Sequence, residues 1–354
     1  MQVNAPEARW DRSPVRCALA AVLAAVLALA AGAGGAPAME PEVFPLEAGA
    51  QDEPAANASA PLQVLERLEC LRNISEDYDG LALSYPTRVY ADSLRREIYV
   101  TDTGNARILV YTYDFFPLLV IGRSDGLEAP AGLAVDPEGN LYVAQGPGRR
   151  HRRSRISVYN PALMWKRDIQ FSGFDGAAGF TPRSLAIGPD QSLYVAGKDF
   201  PGVVVLDPSG AYLRRITPRD ALGKADEKDA VVCDVEVDSQ GNIYLLSEEM
   251  SRVYVYDRAE NFLFKFGLKG GGTGKLSRPR GLAVDESRGR IYLVDYMRHT
   301  GQAYSLRGDI LFEFGGKGWR DGWFQFPSDI VVDATGNVLV ADTFNNRVQV
   351  LAIP

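Results

Sequence analysis

Catalytic chemistry has few places to start in this chain. It holds two histidines, His151 and His299, and three cysteines. A catalytic zinc site typically uses three protein ligands, often histidines, so a His-rich zinc centre is close to excluded. Neither histidine adjoins a plausible nucleophile, and no Ser-His-Asp or Cys-His arrangement can be built. Two other groupings hold more promise. The stretch QGPGRRHRRSR, residues 145–155, sets Arg149, Arg150, Arg152, Arg153 and Arg155 around His151. Guanidinium groups concentrated on one loop make a local positive field suited to phosphate, sulfate or carboxylate groups, here on a chain of net charge −7. Asp234, Glu236 and Asp329 are carboxylates of the kind that hold a hard cation such as calcium, provided the fold brings them together.

The elements that would position these groups are written as a repeat. Residues 312–350 contain two apolar alternations, DIVVD and NVLVAD, split by the turn letters ATGN, and a third, RVQV, after TFNN. Alternating β-branched runs broken by Asp, Asn and Gly read as antiparallel strands joined by hairpins. Aligning on the residue that closes the first alternation gives Asp92, Asp136, Gly188, Asp238, Asp285 and Asp333, at intervals of about 44 to 52 residues. A second strand follows each anchor, as in EIYVTD, NLYVAQ and NIYLLS, then a third such as RILVY or RVYVYD, then a fourth such as FLFKFG. A small sheet of this kind cannot bury both faces alone, so the copies must stack. The period and the strand count predict an all-β, six-bladed β-propeller with four antiparallel strands per blade. The blades are expected near residues 86–122, 130–172, 182–217, 232–267, 279–315 and 327–351.

The pattern F-G-x-x-G, then a Pro-led first strand ending in V-D, then G-N-[LIV]-x-V-x-D, then N-x-R-[IV]-x-V resembles the NHL repeat. It is complete in the last unit, and nearly so in the fifth (Phe266, Gly267, Pro279, Gly281, Val284, Asp285) and in TDTGNARILV of the first. The resemblance covers residues 81–354 and implies the NHL type of propeller, a fold that carries many unrelated activities. It does not extend to the histidine zinc ligands of the peptide-amidating lyase, which uses a similar propeller. Six-bladed lactonases hold calcium or a similar ion at the channel mouth, so the resemblance admits a metal-dependent hydrolase or lyase working through Asp234, Glu236 and Asp329. NHL propellers of animal cytoplasm bind RNA through a basic face. Here the acidic balance and the amino terminus argue against nucleic acid.

The inner strands of a propeller line its channel, and their opening residues Arg88, Gly132, Ser184, Asp234, Gly281 and Asp329 should face one another. On that map Arg88, Arg183 and Arg280 are expected to neutralise the channel carboxylates, leaving no cofactor. Asp102 with Asn105 and Arg107, and Asp342 with Asn346 and Arg347, read as turn chemistry. So do the Asp-x-x-Gly-Asn turns at 136–140, 238–242 and 333–337. Trp319, Trp323, Phe324 and Phe326 crowd the entry to the last blade, and Phe171, Phe174 and Phe180 the entry to the third. Most suit core packing, with Trp319 the expected exposed anchor for a partner.

Ahead of the ring, Arg9, Arg12 and Arg16 precede an apolar run over residues 17–31 and the box Ala36-Pro37-Ala38. That order reads as a signal peptide cleaved after Ala38, with an uncleaved membrane anchor as the alternative. Residues 39–61 are Ala-, Glu- and Pro-rich and read as a flexible, disordered linker. Residues 62–80 are expected to close the ring, with LQVLERLECL (62–71) pairing as a strand against residues 347–351; its leucine spacing also allows a short helix. Cys70 and Cys233 would lie too far apart for a disulfide and are expected as separate buried thiols. The functional expectation is an exported, periplasmic or secreted, monomeric module. It would bind a protein or anionic glycan without catalysis, and touch membrane only through an uncleaved amino terminus.

Overall fold

The second strand of each blade hides both faces, which is why runs such as IYVT, LYVA and IYLL are apolar almost throughout. In blade one, Ile98, Val100, Leu109 and Tyr111 pack against Leu339, Ala341, Val348 and Val350 of blade six. The alternate residues Tyr99, Ile108 and Val110 pack against Leu133, Val135, Leu141 and Val143 of blade two. Period-two alternation thus serves two neighbours at once. The same division recurs between blades two and three, three and four, four and five, and five and six.

The computed structural model describes residues 62–65, 69–223 and 225–353. The expected signal peptide and linker, residues 1–61, lie outside the described residues. The described residues form six blade sheets in a ring, each built on four antiparallel strands, with a small two-stranded ribbon, Arg219–Asp220 against Lys228–Asp229, between blades three and four. From the channel outwards, blade one is Pro86–Asp92, Glu97–Asp102, Arg107–Thr112 and Pro117–Ile121. Blade two is Pro130–Val135, Leu141–Gln145, Arg155–Tyr159 and Trp165–Gln170, and blade three is Pro182–Ile187, Leu193–Gly197, Val203–Leu206 and Tyr212–Ile216. Blade four is Asp234–Val237, Ile243–Ser247, Arg252–Tyr256 and Phe262–Phe266, and blade five is Pro279–Asp285, Arg290–Asp295, Thr300–Ser305 and Ile310–Gly315. Blade six supplies Pro327–Val332, Val338–Asp342 and Arg347–Ala352. No helix among the described residues is long and apolar enough to cross a membrane.

The fourth strand of blade six comes from the other end of the domain. Glu69–Ile74 runs antiparallel to Arg347–Ala352, with Cys70 opposite Leu351 and Ile74 opposite Val348. This differs from the expectation that the strand would span residues 62–71. Gln63–Leu65 instead runs parallel to the outer strand of blade five, with Gln63 opposite Phe312 and Leu65 opposite Phe314. The reason is in the side chains: Ile74 points into the blade six–blade one core, while Leu65 packs on the blade five–blade six core. One segment thereby straps two blades.

Where inner strands converge on the channel there is no room for a side chain. A Cβ on Gly281 would sit 2.6 Å from Asp329 Cα, and one on Gly132 would sit 2.9 Å from Ser184 Cα. These glycines bring neighbouring inner strands close and leave the polar positions between them facing the axis.

Candidate functional site

Within the channel, Arg88 is buried and its Nη1 lies 2.8 Å from Asp234 Oδ1 and 3.0 Å from Asp329 Oδ1. Each carboxylate also ties neighbouring blades together. Asp234 accepts from the Ser184 hydroxyl and the Leu282 N–H, and Asp329 from the Val89 N–H. Burial pushes the Asp329 carboxyl up, against the pull of Arg88. Glu236, one turn of the pleat further in, is pushed well above the usual carboxylate range by desolvation, then by the charges of Asp234 and Asp329. These groups line a space of about 120 Å³. The guanidinium of Arg88 sits where a divalent ion would have to bridge Asp234 and Asp329. Among the described residues, no group of three or more His, Cys, Asp and Glu is arranged to hold a metal ion.

Arg183 and Arg280 do not neutralise the channel carboxylates, contrary to expectation. Both point along the face of the ring to Glu248, at 3.0 and 3.4 Å, and Arg278 joins them at 2.9 Å. Each guanidinium follows or precedes the proline that opens its inner strand, so it leaves the channel axis for the face. Desolvation works upward on Glu248, but Arg183 and Arg280 hold its carboxyl below the ordinary value. Arg280 also lies over the Tyr296 ring, 3.6 Å from its centroid. Sequence reasoning missed this cluster because Glu248 sits in a turn, SEEM, that departs from the Asp-led turns of blades one and six. The repeated Arg after Pro182 and Pro279 was the available signal.

Because strands alternate in direction, the starts of the inner strands and the turns between second and third strands share one face of the ring. The basic loop of blade two lies there. Arg149, Arg150, His151, Arg152 and Arg153 are exposed. Glu128 braces the loop from beneath, accepting from the Arg150 and His151 N–H groups at 2.7 and 3.0 Å, with His151 Nδ1 at 2.9 Å. Those N–H groups, opposed by desolvation and helped by the His151 ring, hold the Glu128 carboxyl at about 2. Arg155 departs from the expected exposed field. It is 1 % exposed, donates to the Gly126 carbonyl and lies 3.4 Å from Asp168, because it begins the third strand rather than ending the loop.

The recurring Asp and Asn letters close turns. Asp102 accepts from Asn105 and from Arg107 Nε, and Arg107 also pairs with Asp77. In blade six the amide donor is Asn345, at 2.8 Å, and not the expected Asn346. Asn346 instead matches Ala106 in the left-handed region, φ 54° and 53°, and accepts from the Tyr85 N–H. Trp319 is 75 % exposed, whereas Phe324 is fully buried and Phe326 packs tilted against Tyr296 and edge-to-face with His299. Phe171, Phe174 and Phe180 form one edge-to-face cluster. His299 accepts from the Phe326 N–H and is depressed by desolvation, so both histidines are occupied in packing or bracing. Cys233 is buried, while Cys70 is only half-buried; neither is in a disulfide.

The NHL repeat family model matches residues 324–351, the body of blade six. No curated protein matches the chain significantly. An auxiliary nutrient binding protein from Bacteroides thetaiotaomicron is similar in structure, at 13% identity and a TM-score of 0.59 over 82% of this chain and 75% of that one. Another, from Bacteroides ovatus, is similar at 14% identity and a TM-score of 0.58, over 82% and 75%. A streptogramin B lyase is similar at 11% identity and a TM-score of 0.53, over 77% and 94%. A binding protein and a lyase share this architecture, so the likeness speaks for the fold and leaves activity to the sites. The chain is a six-bladed β-propeller whose last blade matches the NHL repeat.

Proposed function

We propose that this protein is an exported, non-enzymatic propeller that recognises an anionic partner, a protein or a glycan, on the face carrying the blade-two loop. The observation that carries the reading is the loop itself. Arg149, Arg150, Arg152 and Arg153 are exposed, and none has a side-chain ion pair among the described residues. The loop is held in shape from below by Glu128 through backbone donors, so the guanidiniums remain available outwards. Catalysis is disfavoured by the channel, where Arg88 takes up the carboxylates a cation would need. The arginine-led apolar run ahead of Ala38 supports export, and an extracytoplasmic location makes a glycan or protein a better candidate than nucleic acid.

Charge reversal of Arg149, Arg150, Arg152 and Arg153 to Glu tests the reading. Loss of retention on a heparin column at unchanged thermal stability is the expected result, and unchanged retention overturns it. Mass spectrometry of the mature amino terminus tests export, with cleavage after Ala38 expected. Thermal unfolding with EDTA and with added calcium separates this reading from a metal-dependent hydrolase, for which a shift of several degrees would be expected.

A further inference from the structure

Two hollows on the same face, neither lined by the arginines of the basic loop, share one wall. The larger, of about 650 Å³, is lined by Arg183, Lys198, Glu248, Lys269, Arg278 and Arg280 among others. The smaller, of about 330 Å³, opens over the channel and is lined by Thr87, Thr103, Pro130, Pro182 and Ser328, with Arg183, Lys198 and Arg280 again. Both volumes fall within the range of small-molecule sites. From the geometry of these hollows we infer a binding site for a small hydroxylated carboxylate, an acidic sugar of the uronic acid class, whose carboxylate is gripped by Arg183, Lys198 and Arg280.

The charge count points to an anion. Arg183, Lys198, Lys269, Arg278 and Arg280 face Asp199, Glu248 and Glu249 around the larger hollow, and Arg183, Arg278 and Arg280 all converge on Glu248. Lys198 is exposed and has no ion pair among the described residues, and Lys269 donates only to the Glu249 carbonyl. Arg280 Nε is buried and faces Glu248 Oε2 at 3.4 Å without making a hydrogen bond to it. Planar guanidinium forks favour carboxylates in paired geometry. Glu248 therefore shows what the arginines bind and competes for the same donors.

The smaller hollow supplies what a sugar ring needs. The Thr87 and Thr103 hydroxyls share one hydrogen bond, so one O–H of the pair is left to donate elsewhere. The Ser328 hydroxyl bonds the Thr87 carbonyl and the Thr343 hydroxyl, which fixes this rim. Pro130, Ala131 and Pro182 give the apolar contact for C–H faces. The site is separate from the blade-two loop, so its fate does not depend on that loop's role.

Calorimetry with D-glucuronate and D-galacturonate, against D-glucose and acetate, tests the inference on the full chain. Uronates should bind with a Kd on the order of 1 mM or tighter. Arg183→Ala with Arg280→Ala should weaken binding by at least about tenfold, and the exposed, structurally neutral Lys198→Ala by a smaller factor. Glu248→Gln, which removes the competing internal anion, should tighten binding several-fold, a gain that a merely structural role would not produce. The loop charge-reversal variant should bind uronates like the parent protein. Acetate binding as tightly as the uronates would overturn the sugar assignment, and absence of uronate binding in both the parent and Glu248→Gln would overturn the site.

Discussion

Arg88 on blade one reaches across the channel to Asp234 on blade four, Nη1 to Oδ1 at 2.8 Å, so opposite sides of the ring are joined by one ion pair. Asp329 of blade six takes the same nitrogen at 3.0 Å. Removing the guanidinium leaves two buried carboxylates without a counter-charge, at a cost of about 3–5 kcal/mol. Arg88→Met should therefore lower Tm by about 6–10 °C, at roughly 2 °C per kcal/mol for a domain of this size. Adding Asp234→Asn and Asp329→Asn should recover part of the loss. A melt of Arg88→Met that matches the parent would show that the pair does not hold the ring.

Glu236 carries the excess acid of the channel. Its folded carboxyl is raised above the ordinary 4.5 by desolvation and by Asp234 and Asp329. The folded state thus binds a proton that the unfolded chain releases at lower pH, and stability falls as pH rises above 4.5. Glu236→Gln removes that loss. The variant should match the parent near pH 4 and melt higher at pH 7–8; a difference independent of pH would contradict the assignment.

Closure of the ring depends on Ile74, 4 % exposed and wedged between blades six and one. Ile74→Ala should cost about 2–4 kcal/mol in urea unfolding. Cutting the chain after Ser75 should uncover the edge of Arg347–Ala352, which has no other partner on that side. Concentration-dependent association in light scattering is the expected consequence.

Glu128, held at about 2 against an ordinary 4.5, contributes stability that is complete above pH 4.5 and disappears as pH falls towards 2. The carboxylate is the charged form that the loop N–H groups grip, so protonation releases them. The Tm gap between the parent and Glu128→Gln should be constant above about pH 5 and close below it. A gap that persists at pH 2 would mean the loop is braced by something else.

Local order decided most of the fold in advance. Apolar alternation, Asp and Gly at the hairpin turns, and a proline opening five of the six inner strands are short-range signals that mark out the blades. The channel residues Arg88, Ser184, Asp234 and Asp329 could be placed from their matching positions, because register within a repeat is a local property. Pairings between blades were another matter. Whether Arg183 and Arg280 turn to the axis or to Glu248, whether Arg155 faces solvent or Asp168, and which part of residues 62–74 closes the ring depend on side chains brought together from distant repeats. Such contacts are settled by burial, counter-charge and space in the closed ring, and no spacing along the chain encodes them.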